Sequence, residues 1–214
     1  IYVDGTPYVG DAYIRTRSIT SASWRTVLIG TEGDGGRGLF ALDVTNPSGF
    51  SEGTPKNVVL WEFSNSDDDH LGKTFSRPSV VLLNNNRWAV ITGNGPEDTA
   101  VDWAAGDAQL FIIYLDGGLD GSWTKGEDYL RITTTVGKQT DRNGLFTPAL
   151  VDLDNNGTAD RAYAGDLKGR MWAFDLSSSN PTDWAIAHKN KKPLFKGKKN
   201  QPITTQPEVI RHPT

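Results

Sequence analysis

The apolar positions of this chain fall in short runs separated by Gly-, Asn-, Asp- and Pro-rich turns, and the runs repeat. Four of them open on one signal, a proline followed two residues later by a branched aliphatic: Thr6-Pro7-Tyr8-Val9, Arg77-Pro78-Ser79-Val80, Thr147-Pro148-Ala149-Leu150 and Gln206-Pro207-Glu208-Val209. The prolines lie 71, 70 and 59 residues apart. Proline is tolerated at the first residue of a strand, where no ladder donor is lost. Behind each of the first three comes a second apolar run, Trp24 to Gly30, Arg87 to Gly93 and Asp160 to Asp166. A third run follows: Gly38 to Val44, Gln109 to Leu115 and Arg170 to Leu176. These three align residue for residue, with an aromatic at the third position. A weaker fourth run covers Asn57 to Phe63, Glu127 to Thr133 and Pro193 to Gly197.

Four strands per unit at near-even spacing predict the four-stranded antiparallel blades of a β-propeller, an all-β fold. The blades fall at 6–66, 75–135 and 145–197, and a further blade starts at 203–211. No window shows sustained helical spacing with caps, and a β-sandwich does not explain repetition of whole four-strand units. Three blades and one strand do not close a ring, so this stretch of 1–214 reads as part of a larger propeller. The longest insertion, Asn94 to Asp107, lies in the second blade, and a Ser/Asn/Asp tract, Ser64 to Asp69, bridges the first two.

Composition narrows the function. The chain has 214 residues, 36% hydrophobic and 22% charged, with a net charge of −4. Nucleic-acid binding leaves a basic footprint that is missing here, and no apolar run is long enough to span a membrane as a helix. Cysteine is absent, which excludes a disulfide framework and a zinc-thiolate site. A chain opening on Ile1 with no signal-peptide pattern reads as a processed or excised part of something longer.

The most informative stretch is Asp152-Leu153-Asp154-Asn155-Asn156-Gly157-Thr158-Ala159-Asp160. Oxygen-bearing side chains recur at alternate positions, Asp152, Asp154, Asn156, Thr158 and Asp160, with a glycine at the sixth. Calcium takes about 6–8 hard oxygen ligands, and the glycine permits the sharp turn that aims them at one centre. Thr158 would add its backbone carbonyl. Tyr163 stands where an EF-hand has its bidentate Glu, and the flanks are short and apolar, so the loop sits between two strands and Asp160 must replace that Glu. The bland alternative is a metal-free hairpin turn, since these residues favour turns anyway. Extracellular modules use calcium sites of this kind, so the loop leans towards the cell surface or periplasm.

Other motifs read as structural. Gly33-Asp34-Gly35-Gly36-Arg37-Gly38 satisfies G-x-G-x-x-G, but the run after it is a strand rather than the helix a dinucleotide site needs. Asp67-Asp68-Asp69 beside His70 reads as a solvated interblade loop. Lys189, Lys191, Lys192, Lys196, Lys198 and Lys199 read as a charged edge that resists edge-to-edge pairing. Trp88, Trp123 and Trp184 read as packing, while Trp103, in the long insertion, is the tryptophan to suspect of binding. With no cysteine and no nucleophile elbow or zincin motif around His70, His188 or His212, the chain reads as no enzyme.

The runs Trp24 to Gly30 and Gly35 to Thr45 resemble the PilY1/PilC family of type IV pilus proteins. So do Thr147-Pro148-Ala149 leading into the acidic loop, Tyr163 to Leu176, and Gln201 to Val209. The likeness runs from about Asp4 to Val209. It implies part of the C-terminal β-propeller of a pilus-associated adhesin and biogenesis factor at the pilus tip, cell surface and outer membrane. Such a protein works with minor pilins and the outer-membrane assembly machinery. It supports pilus extension against retraction, twitching motility and attachment to host-cell or abiotic surfaces. The family's propeller carries a calcium loop, D-x-[DN]-x-[DN]-x-x-x-D, which Asp152, Asp154, Asn156, Thr158 and Asp160 match position for position. The Arg-Gly-Asp integrin motif of some members is absent from this sequence. The runner-up readings are a quinoprotein-like dehydrogenase, which also uses a propeller, and a purely structural propeller.

Overall fold

The computed structural model describes residues 2–96, 106–198 and 201–210. Trp103, Lys199 and His212 lie outside the described residues, as does most of the long insertion. The described residues form three antiparallel sheets in succession. The first contains β1 (Tyr8–Ile14), β2 (Ser23–Thr31), β3 (Gly38–Asp43) and β4 (Val59–Ser64). The second contains β5 (Ser79–Leu82), β6 (Trp88–Gly93), β7 (Asp107–Tyr114) and β8 (Tyr129–Gly137). The third contains β9 (Ala149–Val151), β10 (Arg161–Gly165), β11 (Arg170–Asp175), β12 (Ala185–Ile186) and β13 (Phe195–Lys196). β1 to β4, β5 to β8 and β9 to β12 each pair in chain order, the meander expected of a propeller blade, with β13 added to β11, and among the described residues no sheet closes on itself. Pro7, Pro78 and Pro148 each stand immediately before a first strand. Among the described residues no helix is long and apolar enough to cross a membrane.

Strand alternation builds two cores, one on each face of the middle sheet. Along β7 and the residue after it, Phe111, Ile113 and Leu115 enter a cluster shared with Val27, Ile29, Ala41, Trp61 and Phe63 of the first sheet. Ala108, Leu110, Ile112 and Tyr114, on the other face, enter a cluster shared with Ala162, Ala164, Trp172 and Phe174 of the third. A strand covered on both faces loses the apolar–polar alternation and reads as a continuous apolar run, and from Ala108 to Leu115 every residue is buried. The aligned aromatics of the third strands follow the same logic. Phe111 faces the first sheet and Trp172 faces the second, both fully buried. Phe40, their counterpart in the first sheet, has no described sheet beyond it and is half-buried. Each fully buried side chain of this kind contributes roughly 1.5–3 kcal/mol.

Each sheet also repeats an ion pair between the start of its second strand and the end of its third. Arg25 faces Asp43 at 3.6 Å, Arg87 faces Asp116 at 2.6 Å, and Arg161 pairs with Asp175. The glycine-rich run between β2 and β3 is a turn, with Gly33 in the left-handed region at φ 61°.

Two expectations change. The outer strand of the third sheet, expected at Pro193 to Gly197, is split. β12 pairs with Phe174 and Asp175 at one end of β11, and β13 pairs with Arg170 and Met171 at the other. The 3₁₀ turn Pro181–Asp183, capped by Asn180 accepting from the Thr182 N–H, brings β12 in, and residues 188–193 loop out between the halves, with the N–H groups of Ala187 and Leu194 donating to the Ala173 and Met171 carbonyls of β11 on either side. The strand expected to open a further blade at 203–211 does not form within 201–210. A first strand pairs with its own second strand, and none follows it in these residues. That segment is held instead by the Ile203 N–H donating to the Asp166 carbonyl and by Gln206 Nε2 donating to the Pro148 carbonyl.

Candidate metal site

The acidic stretch is the connection between β9 and β10, where Asx turns impose its shape. Asp152 accepts from the N–H groups of Asn156 at 3.2 Å and Gly157 at 2.7 Å. Asp154 accepts from the Asn156 N–H and side-chain amide at 3.2 and 3.1 Å. The Asn156 side-chain oxygen accepts from the Thr158 N–H at 2.7 Å and from its hydroxyl. Asn155 and Gly157 take left-handed φ values of 61° and 90°. A Cβ on Gly157 would meet nothing, so backbone conformation and not space favours glycine there.

These turns curl the loop so that Asp152, Asp154 and Asp160 each bring a carboxylate oxygen within 4.8 Å of the others. The backbone N–H of Gly157, with those of Asn155 and Asn156, holds the Asp152 carboxyl below the usual carboxylate range. The converging carboxylates of Asp152, Asp154 and Asp160 are hard oxygen donors, the kind of ligand calcium takes and softer metals do not prefer. Asn156 and Thr158 lie in the same turn, bonded to each other. The donor set fits calcium in chemistry: Tyr163 occupies the position of the EF-hand Glu, and Asp160, three residues before it, is the third acid of the converging group.

Asp160 differs from the other two in being buried, 5% exposed. One oxygen accepts from the Leu153 N–H at 2.7 Å and the other from Asn84 Nδ2 at 3.0 Å. Asn84 belongs to the β5–β6 turn of the second sheet. Its amide nitrogen also reaches the carbonyls of Ala159 and Leu176, and its oxygen accepts from the Thr158 hydroxyl at 3.0 Å. Leu83 and Ala159 form a parallel bridge beside it, with the Ala159 N–H donating to the Leu82 carbonyl at 3.0 Å. The acidic loop is thus fastened to the neighbouring sheet. Sequence reading missed Asn84, whose visible signal was only an Asn-rich turn, Asn84-Asn85-Asn86, between two apolar runs.

The second acidic cluster is a different object. Asp68 is not solvated, as its tract suggested, but 6% exposed. It pairs with Arg131 of β8 at 3.0 Å and lies 3.3 Å from His70 Nδ1, which is 2.6 Å from Asp69. Burial pushes the Asp68 carboxyl up, but the His70 hydrogen bonds and the Arg131 charge outweigh it and hold it low. The side-chain hydrogen bond to Asp68 raises His70 above its ordinary value. With a guanidinium already on the buried carboxylate, this cluster fastens the first-to-second sheet connection to β8. Trp123 and Trp184 pack as their sequence context suggests: Trp123 lies edge-on to Phe63 at 4.9 Å, and Trp184 is 6% exposed.

The comparisons agree with this architecture. The family model for the PilY1 beta-propeller domain matches residues 1–214. A type IV pilus biogenesis factor PilY1 homolog of Xylella fastidiosa is 39% identical over 221 residues, covering 100% of this chain and 14% of that protein. The type IV pilus biogenesis factor PilY1 of Pseudomonas aeruginosa (strain UCBPP-PA14) is 35% identical over 237 residues, covering 100% of this chain and 18% of its own length. The crystal structure of the Pseudomonas aeruginosa PilY1 C-terminal domain superposes with a TM-score of 0.77 at 35% identity, over 99% of this chain and 42% of that one. The chain thus spans between 14% and 18% of the length of these two curated relatives. Three blade-like sheets in meander order, matched along their whole length by the same family in sequence and in structure, place this chain in the PilY1 β-propeller family of type IV pilus biogenesis factors.

Proposed function

We propose that this propeller segment binds calcium at the β9–β10 loop and serves a type IV pilus assembly and adhesion protein at the cell surface. There, at the pilus tip and outer membrane, it supports extension against retraction, twitching motility and surface attachment, in contact with minor pilins and the outer-membrane assembly machinery. The observation that carries the calcium reading is the convergence of Asp152, Asp154 and Asp160 within 4.8 Å, imposed by backbone hydrogen bonds that leave lone pairs on each carboxylate. Asp152, Asp154, Asn156 and Asp160 would hold the ion through side-chain oxygens and Thr158 through its carbonyl. Bound there, calcium supplies positive charge that offsets the repulsion among the clustered carboxylates. The chain's own part is to hand that tightening onward. Asp160 and Thr158 both end on Asn84, so a stiffer loop is a stiffer joint between the second and third sheets. The pilus role rests on the family relationship.

The test is calorimetric titration of the protein with calcium beside Asp154→Ala, an exposed position whose truncation leaves the core intact. One-site binding lost in the variant supports the loop. Its Kd separates a sensor, roughly 10⁻⁷–10⁻⁵ M, from an extracellular structural site, roughly 10⁻⁴–10⁻³ M. A folded protein that takes up no calcium refutes the reading.

A further inference from the structure

At the end of the third sheet opposite the acidic loop lies an open cleft of about 440 Å³, lined by Asp141, Arg142, Leu167, Lys168, Arg170, Lys196 and Gly197. Four cations face one carboxylate there. Lys168 pairs with Asp141 at 2.5 Å. Arg170 and Lys196 are register partners across β11 and β13, two like charges placed directly opposite each other. Such a pair is destabilising unless something offsets it.

Arg170 makes the need specific. Its Nη1 is buried and has no hydrogen-bond partner among the described residues. The nearest carboxylate oxygen, Asp166 Oδ2, is 3.9 Å away, beyond hydrogen-bond reach. Asp166 is also fully committed. Oδ2 accepts from Asn143 Nδ2 and Trp172 Nε1, both at 2.9 Å, and Oδ1 accepts from the N–H groups of Lys168 and Arg170 at 2.9 and 2.8 Å. A guanidinium nitrogen left unpaired inside a protein costs free energy that an acceptor recovers. The residues around the cleft offer a planar fork and flanking point charges, the usual recognition set for a phosphate-type oxyanion.

We propose that this cleft binds a phosphate-class oxyanion, held by Arg170 and Lys196 with Lys168 at its edge. The site is independent of the calcium loop. The ligand is either free inorganic phosphate or the phosphate of an anionic lipid headgroup at a membrane surface.

The experiment is calorimetric titration of the purified protein with inorganic phosphate at low salt, with Arg170→Lys, Lys196→Gln and, as a control in the same basic run, Lys189→Gln. Arg170→Lys keeps the charge beside Asp166 and loses the fork. Lys196 lies on an exposed two-residue strand, so its variant folds. Saturable binding weakened about tenfold or more in the first two variants and unchanged in the control is expected. A second arm sediments the protein with phosphatidylcholine vesicles with and without phosphatidylglycerol. Binding to the anionic vesicles that millimolar phosphate displaces and Lys196→Gln removes assigns a headgroup. Phosphate binding with no vesicle binding assigns the free ion. No phosphate binding, or phosphate binding indifferent to both cleft variants, overturns the proposal.

Discussion

Asn84 is a small residue with a large share of the local hydrogen bonding. Its amide nitrogen donates to Asp160 and to two carbonyls of the third sheet, and its oxygen accepts from Thr158. Replacing it by alanine leaves several of those groups unpaired, so Asn84→Ala is expected to cost about 1–3 kcal/mol in urea unfolding. It is also expected to loosen calcium binding several-fold, because Asp160 loses the partner that orients it. Unchanged affinity in a folded Asn84→Ala protein would show that the loop is self-sufficient. Asp152 gives the loop a pH signature. Its carboxyl is held low in the folded chain, so its contribution is fully present at neutral pH and is lost only as pH falls through that depressed value. At this scale the sequence was readable wherever partners are close along the chain. Alternating oxygens over nine residues announce themselves. A contact between Asn84 and Thr158, 74 residues apart, leaves no mark in either local pattern.

Among elements, the strands with strong patterns were legible and the short ones were not. The second and third strands of each sheet are long, apolar and aromatic-marked, and they fall where their runs predicted. β12 and β13 have two residues each. Phe195 and Lys196 are both exposed, so no alternation could reveal that the outer strand is broken in two. Burial likewise hid the role of Asp68, since a run of three aspartates looks solvated until Arg131 arrives from β8. The connection between the first two sheets carries its own pH response. His70 titrates higher in the folded chain than in the unfolded one, so its contribution is complete below its ordinary value near 6.5. It is lost as pH rises through the folded value. Thermal stability measured across that window is expected to decline, and His70→Gln is expected to flatten the decline. An identical slope in the variant would mean that the Asp68 network does not govern it.

Across the whole molecule, the middle sheet is the common member of both cores. Phe111→Ala opens a void in the first core beside Phe63 and Tyr129, and is expected to destabilise the chain by about 3–5 kcal/mol in denaturant unfolding. A much smaller loss would show that the two sheets repack. Leu110 and Phe111 are adjacent yet belong to different cores, so the chain behaves as a row of three plates with two joints. In such a row, stability is approximately a sum of plate and nearest-neighbour joint terms, and opening starts where a plate has a single joint. Backbone amides of β6 and β7 are therefore expected to exchange with deuterium last, whichever end frays first. The loop fastened by Asn84 spans only the second joint. An ion bound there stiffens one end of the row and leaves the other unchanged, so calcium should slow exchange in β9 to β11 far more than in β1 to β3. On the proposed calcium reading, the joint between the second and third sheets tightens only when the ion is bound, so the order in which the two outer plates open would follow calcium supply.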